Sequence, residues 1–362
     1  MTIIVAARRT AAVPAHGAFA DLSFQALAAP VIRACLADAG IDAAQVDEVI
    51  VGNALGAGGN PARLCALAAG LPDRVPGLSI DRQCVSGLDA ILLAGALIAA
   101  GRAEVVIAGG AESTSRRPLR LRTFADGRAA EPYDQAVFTP WPDRDPDMAA
   151  AADRLARQLG ITRAAQDDWA VQSHAKATGP RPEIVPLGGL SHDAFTRRLT
   201  ARTCTRAPVL TGTITAANTA VAADGAAFVV VVSSRIAGGL RGPQAQIIGG
   251  RTLGGHPDLP GLAPIAATRA ALQDAGLTVA DIALAEVMEA YAVQAIACVQ
   301  GIGLDAERVN AGGGALARGH PIGASGAINA VRLFHDLQAC GGHGLATIAA
   351  AGGIGTALLL RV

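Results

Sequence analysis

The stretch RACLADAGIDAAQVDEVIVGN, residues 33–53, recurs 236 residues later as RAALQDAGLTVADIALAEVME, residues 269–289. This repeat decides the fold, because Arg, Ala, Leu, Asp, Ala and Gly recur in step in the two copies. Each copy is typical of an amphipathic helix that ends at a glycine C-cap, Gly40 or Gly276, before an apolar strand. Helices that alternate with buried strands predict an α/β fold, and the repeat predicts that this fold is duplicated.

The same offset relates a cysteine to a histidine. Cys84 lies in DRQCVSGLDA, and His320 lies 236 residues later in GGGALARGHPIGASGAINA. Each residue lies just before a Ser-Gly pair that is expected to open a helix, and each helix leads to an apolar strand. Sites in open α/β sheets gather at the strand ends. We therefore predict that the two loops meet across a pseudo-twofold axis and that Cys84 and His320 form a nucleophile–base pair.

Position alone leaves a second interpretation of Cys84, as a small core residue, because free cysteines are among the most buried side chains. If it is a nucleophile, the N–H groups of the following helix and the histidine should lower its pKa below the free value of about 8.5. Four other cysteines lie in apolar helical patterns and are interpreted as core thiols, namely Cys35, Cys65, Cys298 and Cys340.

Composition excludes several classes of function. The chain has 362 residues, of which 51% are hydrophobic, and its formal net charge is zero, which argues against a nucleic-acid partner. Its six cysteines form no CxxC pair, which is typical of a reducing compartment. We expect a cytoplasmic protein with no membrane segment, because no signal peptide or sufficiently long apolar run is present. No residues have metal-ligand spacing, and no glycine-rich stretch fits a dinucleotide-binding fingerprint.

The chain divides into two halves and an insertion. We predict an N-terminal half at 1–117 and 207–236, a loop domain at 118–206 that covers the site, and a C-terminal half at 243–362. The insertion is rich in Arg, Pro and Asp, and one long helix is expected within it at 148–178.

In order and across nearly the whole chain, eight stretches resemble the thiolases (acetyl-CoA acyltransferases). They are ADLSFQALAAPVIRACLADAGIDAAQVDEVIVGNAL, GGNPARLCALAAGLP, DRQCVSGLDA, AGGAES, TITAANTAVAADGAA, EVMEAYAVQAIA, GGGALARGHPIGASGA and AGGIGTALLL. The resemblance implies a five-layered α-β-α-β-α core with an inserted loop domain, a homodimer or homotetramer, and a coenzyme A thioester as substrate with no bound cofactor. It implies an acetyl-CoA acetyltransferase or 3-ketoacyl-CoA thiolase of fatty acid metabolism.

The resemblance also assigns catalytic positions. It makes Cys84 the acyl-accepting nucleophile and His320 its base, with backbone N–H groups of Cys84 and Ala351 at the acyl oxygen. Two further catalytic positions are substituted here. The second cysteine of the family corresponds to Ala349, and the asparagine of the family's Asn-Glu-Ala-Phe stretch corresponds to Met288, in the stretch MEAY.

The resemblance also implies which residues contact coenzyme A and the acyl group. Ala220 and Val221 stand where the family has a small Gly/Ser pair near the pantetheine. An arginine-rich stretch in the loop domain is either a contact for the nucleotide phosphates or a solvated face. The candidate binding residues are Met148, Arg197, Arg198, Leu210, Ala220, Ala290 and Tyr291.

The two substitutions leave alternatives open. One is a divergent acyltransferase or hydrolase that has lost Claisen chemistry. The other is a catalytically silent thiolase-like subunit that binds acyl-CoA.

Overall fold

The computed structural model describes residues 1–56 and 58–362. The strands are β1 Thr2–Arg9, β2 Val13–Pro14, β3 Glu48–Gly52, β4 Gly77–Ile80, β5 Val105–Ser113, β6 Leu121–Arg122, β7 Glu131–Pro132, β8 Val209–Thr211, β9 Ile214–Thr215, β10 Ala223–Ser233, β11 Ala245–Gly254, β12 Ile282–Val287, β13 His343–Ala350 and β14 Ile354–Arg361. The helices are α1 Phe24–Ala39, α2 Pro61–Ala68, α3 Ser86–Ala99, α4 Met148–Leu159, α5 Arg163–Lys176, α6 Ala201–Thr205, α7 Ser234–Ala237, α8 Ala263–Ala275, α9 Ala292–Ile302, α10 Ala315–Arg318 and α11 Ile322–Cys340.

The main sheet has the strand order β12-β13-β14-β11-β1-β10-β5-β3-β4. Its two halves join where β1 pairs with β11 over three residue pairs. Strand β3 runs parallel to β4 and β5 in the N-terminal half, and β12 runs parallel to β13 in the C-terminal half. Each half therefore carries a set of parallel strands whose carboxyl ends lie at one edge, where a site is expected.

The helices and strands form layers, and three hydrophobic clusters are buried between these layers. Helices α1 and α2 pack on the outer face of the N-terminal half, and α8 and α9 pack on the outer face of the C-terminal half. Helices α3 and α11 lie between the two halves and share one buried cluster with strands of both. These five layers are the predicted α-β-α-β-α arrangement, so the predicted fold class is confirmed.

The repeat has the expected local structure. Helices α1 and α8 end at Gly40 (φ 63°) and Gly276 (φ 66°), both in the left-handed region that glycine adopts without strain. Strands β3 and β12 follow them. One boundary differs: α3 begins at Ser86 as expected, whereas α11 begins at Ile322 and holds Ser325 in its first turn.

The single helix expected at 148–178 is wrong, because the chain forms α4 and α5 there. Gly160 (φ 65°) ends α4 in the left-handed conformation. Thr162 then starts α5 by accepting a hydrogen bond from the N–H of Ala165. Both helices pack against α9, so the insertion lies over the C-terminal half.

The cysteines divide by burial. Cys35, Cys65 and Cys298 are core thiols, as predicted, but Cys340 is exposed. It lies in the last turn of α11, where the helix leaves the core. In the part of the chain that the structure describes, no helix has the length and apolar character required to cross a bilayer.

Candidate active site

Cys84 lies in a tight turn between β4 and α3. Gln83 has φ 53°, an uncommon conformation for a residue with a side chain. The turn is closed by Ser86, whose Oγ accepts from the N–H of Arg82 (2.7 Å) and donates to the carbonyl oxygen of Gln83 (2.6 Å). The thiol is thereby held two residues before α3 begins, at the carboxyl edge of the parallel strands.

His320 lies in the loop between α10 and α11 and is held by the segment just before β10. Its backbone N–H donates to the carbonyl oxygen of Val221 at 2.8 Å. The preceding Gly319 has φ 109°, which favours glycine at this bend. The structure brings the imidazole to the cysteine: Nε2 of His320 lies 3.2 Å from Sγ of Cys84.

Glycines allow the first turn of α11, just after His320, to lie against the backbones of β3 and β5. A Cβ on Gly110 of β5 would lie 2.0 Å from the carbonyl oxygen of Gly323, and a Cβ on Gly323 would lie 2.8 Å from the carbonyl oxygen of Gly52. Any larger residue at these positions would push the first turn of α11 away from β3 and β5.

Ser325 sets the tautomer of His320. Its Oγ lies 2.6 Å from Nδ1 of the imidazole and donates its own proton to the carbonyl oxygen of Pro321 at 3.0 Å. Ser325 Oγ therefore accepts a hydrogen bond from Nδ1–H, which leaves Nε2 free to accept the thiol proton. The sequence analysis treated Ser325 only as a helix opener. Its position five residues after the histidine was the available signal.

Burial keeps the resting pair neutral. It raises the pKa of the Cys84 thiol to about 12, although hydrogen bonding from the backbone N–H groups of Cys84 and Ala351 acts in the opposite direction. Burial also lowers the pKa of His320 to about 4. The expected pKa below the free value is therefore wrong for the resting pair, because loss of solvent outweighs the helix start and the histidine.

Glu112, at the carboxyl end of β5, connects the segment after β3 to the first turn of α11 and is almost fully buried. Its carboxylate accepts hydrogen bonds from the N–H groups of Ala54 (2.9 Å), Leu55 (3.2 Å) and Gly323 (2.9 Å) and from Nδ2 of Asn53 (2.8 Å). Burial raises the pKa of this carboxyl group to about 7. The sequence analysis did not single out this residue.

A cavity of about 220 Å³ opens at the cysteine and histidine. It lies between the carboxyl edge of the strands and the α4 wall of the insertion. The predicted site residues that line it are Cys84, Met148, Ala220, Ala290, Tyr291, His320, Ala349 and Ala351. The wall also includes residues that the sequence analysis missed, among them Phe138, Leu155, Thr219, Leu259 and Gln294.

The remaining predicted residues lie elsewhere. Met288 is buried behind the cavity wall, where its N–H donates to the carbonyl oxygen of Thr347. Leu210 is 52% exposed and does not line the cavity. Arg197 and Arg198 are exposed on the insertion, and the guanidinium of Arg197 stacks over Phe195.

Glu289 ties the insertion to the C-terminal half. Its carboxylate accepts from Nε1 of Trp169 (3.0 Å) and Oγ of Ser173 (2.7 Å) on α5. It also accepts from Nδ2 of Asn310 (2.8 Å) and the N–H of Leu316 (3.1 Å). This contact fixes α10, just before the histidine loop, and with it one side of the cavity.

Both halves of the chain are similar to known proteins. Residues 2–235 match the family model described as thiolase, N-terminal domain, and residues 241–362 match thiolase, C-terminal domain. The chain is 43% identical to the putative acetyl-CoA C-acetyltransferase YhfS of Bacillus subtilis, over 99% of both chains. It is 39% identical to the acetyl-CoA acetyltransferase of Escherichia coli, over 99% of this chain and 98% of the relative.

Solved structures have the same fold. The acetyl-CoA acetyltransferase of Bacillus anthracis superposes with a TM-score of 0.90 at 33% identity, over 99% of this chain and 98% of that one. Human mitochondrial 3-ketoacyl-CoA thiolase superposes with a TM-score of 0.93 at 30% identity and the same coverage.

Proposed function

Because the chain belongs to the thiolase family, we propose that its cavity transfers an acyl group from a coenzyme A thioester through an acyl-Cys84 intermediate. The chain is an acyltransferase of the acetyl-CoA acetyltransferase or 3-ketoacyl-CoA thiolase type. The observation that carries the residue assignment is the 3.2 Å contact between Cys84 Sγ and His320 Nε2 at the cavity floor.

In the first half-reaction, Sγ of Cys84 attacks the thioester carbonyl while its proton passes to Nε2 of His320. The backbone N–H groups of Cys84 and Ala351 are the donors for the developing oxyanion. The bond between the acyl carbon and the coenzyme A sulfur then breaks, and the departing sulfur takes the proton from Nε2. Ser325 holds Nδ1–H throughout, so the imidazole returns to its starting tautomer.

In the second half-reaction, His320 is the base that remains. Ala349 and Met288 offer no group that could accept or donate a proton. The other polar side chains on the described cavity wall, Gln83, Thr219, Tyr291 and Gln294, are not bases near neutral pH. We therefore assign to His320 the proton transfer that activates the second substrate as well.

Several features support a transferase over a silent subunit. The nucleophile, its base and the group that orients the base are all present and in contact. The cavity beside them, of about 220 Å³, is larger than an acetyl group requires. The chain also matches acetyl-CoA acetyltransferases along its full length.

The proposal also covers the residues that contact coenzyme A, the cellular location of the protein and its oligomeric state. The exposed Arg197 and Arg198 are suited to the nucleotide phosphates, with Ala220 near the pantetheine arm. No resident cofactor is required, since the thioester itself is the substrate. We further propose a cytoplasmic homodimer or homotetramer of fatty acid metabolism, in keeping with six free cysteines and a net charge of zero.

Intact-protein mass spectrometry tests the assignment. Incubation with acetyl-CoA is expected to add one acetyl group, and peptide mapping should place it on Cys84. Cys84→Ala should abolish the adduct, and His320→Ala should slow its formation by about 10²–10⁴. Cys340→Ser removes an exposed thiol distant from the cavity and is the matched control, with no expected effect. An adduct that persists in Cys84→Ala would refute the assignment.

A further inference from the structure

The helix that follows Cys84, α3, contains one charged residue, Asp89. The side chain of Asp89 is 5% exposed, and α3 contacts strands β11 and β14 of the C-terminal half. A buried charge is costly unless it is paired and hydrogen-bonded. Both conditions hold for this carboxylate, and its partners come from both halves of the duplicated core.

Two threonine hydroxyls and one guanidinium surround the Asp89 carboxylate. Oγ1 of Thr252 on β11 donates to Oδ1 at 2.6 Å, and Oγ1 of Thr356 on β14 donates to the same oxygen at 2.7 Å. The guanidinium of Arg82 pairs with Oδ2. Arg82 lies two residues before Cys84, so the carboxylate connects the cysteine turn and the start of α3 to two strands of the other half.

The same carboxylate connects the segments that carry the two oxyanion donors. Asp89 lies five residues after Cys84, and Thr356 lies five residues after Ala351. Burial raises the pKa of the Cys84 thiol, and hydrogen bonding from the N–H groups of Cys84 and Ala351 opposes this rise, so both groups lie at its sulfur. The donors belong to different halves of the core. Their separation therefore depends on how α3 sits against β14.

Apolar packing alone leaves such a separation loosely defined. Beyond its first residue, the other buried side chains of α3 are aliphatic and make non-directional contacts: Leu88, Ala90, Ile91, Ala94 and Ile98. A hydrogen bond, by contrast, is restricted in distance and angle. A displacement of about 1 Å at a reacting centre can lower a rate by about 10². The bonds of Asp89 are therefore the contacts of α3 that are best suited to fix the donor separation.

Resting on the proposed function, we infer that Asp89 is a positioning residue: its hydrogen bonds to Thr252 and Thr356 set the separation of the two backbone donors of the oxyanion. The carboxylate does not touch the reacting atoms. It acts through the two segments that carry the donors, so it matters for reactions that form an oxyanion. Alkylation of Cys84 by iodoacetamide forms none, because the sulfur displaces iodide at a saturated carbon and its proton passes to the histidine.

The test compares these two reactions of the same thiol in the whole protein. Thr356→Val removes the hydroxyl and keeps the side-chain shape. Acylation of Cys84 by acetyl-CoA, followed by intact-protein mass spectrometry, is expected to slow by about tenfold to a hundredfold in this variant. Alkylation by iodoacetamide should change little. Thr356→Ser, which keeps the hydroxyl, should retain most of the acylation rate. Thr252→Val, at a less buried position, should show the same selective loss.

Asp89→Asn tests the carboxylate itself. It should slow acylation selectively, and its combination with Thr356→Val should cost less than the product of the two single losses, because both changes remove the same contact. Thr268→Val is the matched control. It removes a buried hydroxyl that contacts Thr347 and not Asp89, and it should leave both rates unchanged.

The outcomes separate this inference from the proposed function. Equal losses of acylation and alkylation would indicate a general disturbance of the thiol and its base, and would overturn the positioning role. Unchanged acylation in Asp89→Asn and in the variant that lacks both hydroxyls would also overturn it, and would leave the acyltransferase assignment intact. Absence of an acetyl adduct on Cys84 of the unmodified protein would overturn the acyltransferase assignment, and the positioning role with it.

Discussion

Ser325 Oγ accepts a hydrogen bond from Nδ1 of His320 at 2.6 Å while it donates to the carbonyl oxygen of Pro321, so one hydroxyl fixes which imidazole nitrogen faces Cys84. A histidine that carries its proton on Nε2 could not accept the thiol proton. The serine acts through the histidine, and it is a positioning residue.

Ser325→Ala is expected to slow Cys84 acylation by roughly tenfold to a hundredfold, by analogy with the loss of a partner that orients a metal-ligating histidine. The loss should fall on kcat with little change in KM, because the serine does not line the cavity. Ser325→Thr, which keeps the hydroxyl, should retain more of the rate. Equal losses in both variants, with a lowered unfolding temperature, would instead indicate a packing effect.

The pH dependence of acylation follows from the two pKa shifts. His320 must be neutral to act as a base, and burial lowers its pKa from the ordinary 6.5 to about 4. The rate should therefore fall only as the pH drops through about 4. Burial raises the pKa of Cys84 to about 12, so no gain in thiolate is expected from about pH 6 to about pH 9. Initial rates of adduct formation after brief pH jumps measure this profile, and a midpoint near 6.5 would contradict it.

Glu112→Gln tests the connection between the segment after β3 and the first turn of α11. An amide can accept on only one side, so two of the four N–H donors that now face the carboxylate would meet an NH₂ group. We expect a loss of about 2–3 kcal/mol in the free energy of unfolding and slower acylation, because Gly323 lies in the first turn of α11, just after His320. Urea unfolding measures the first effect. Glu131→Gln, at an exposed position, is the control and should change neither quantity.

The duplicated core and the Cys84–His320 pair could be predicted from sequence, because both depend on chain order. Gly40 and Gly276 mark equivalent helix ends, and the same offset of 236 residues carries Cys84 onto His320. Equivalent loops of a duplicated α/β unit end at the same kind of sheet edge. Their contact then follows from the pseudo-twofold relation between the halves.

The rest of the site depends on contacts between segments far apart in the chain. The end of α4 and the start of α5 are an exception, because the sequence itself offers a glycine C-cap at Gly160 and a threonine N-cap at Thr162. The contacts of Glu112 had none, because a carboxylate with four donors is recognised only from tertiary contacts. Leu210 and Cys340 lie in apolar surroundings in the sequence, yet packing leaves both exposed.

Ala349 lies on the cavity wall near the carboxyl end of β13, where a cysteine would face the same cavity as Cys84. A missing acid or base usually costs about 10²–10⁴ in rate. His320 can cover part of that loss, so Ala349→Cys is expected to raise acetoacetyl-CoA cleavage by about tenfold or more. Acylation of Cys84 by acetyl-CoA, which does not need a second thiol, should change little. Ala152→Cys adds a thiol to the α4 wall of the same cavity and is the matched control.

Met288→Asn is expected to help only in combination with Ala349→Cys. By itself it would place an amide in the apolar cluster around Met288, and a buried amide without partners costs about 1–3 kcal/mol. Coupled measurement of free coenzyme A consumption and acetoacetyl-CoA loss separates cleavage from simple hydrolysis in each variant. If the unmodified protein cleaves acetoacetyl-CoA as fast as the Ala349→Cys variant, then His320 alone supplies the second proton transfer at full rate, and the alanine at position 349 imposes no limit on the reaction.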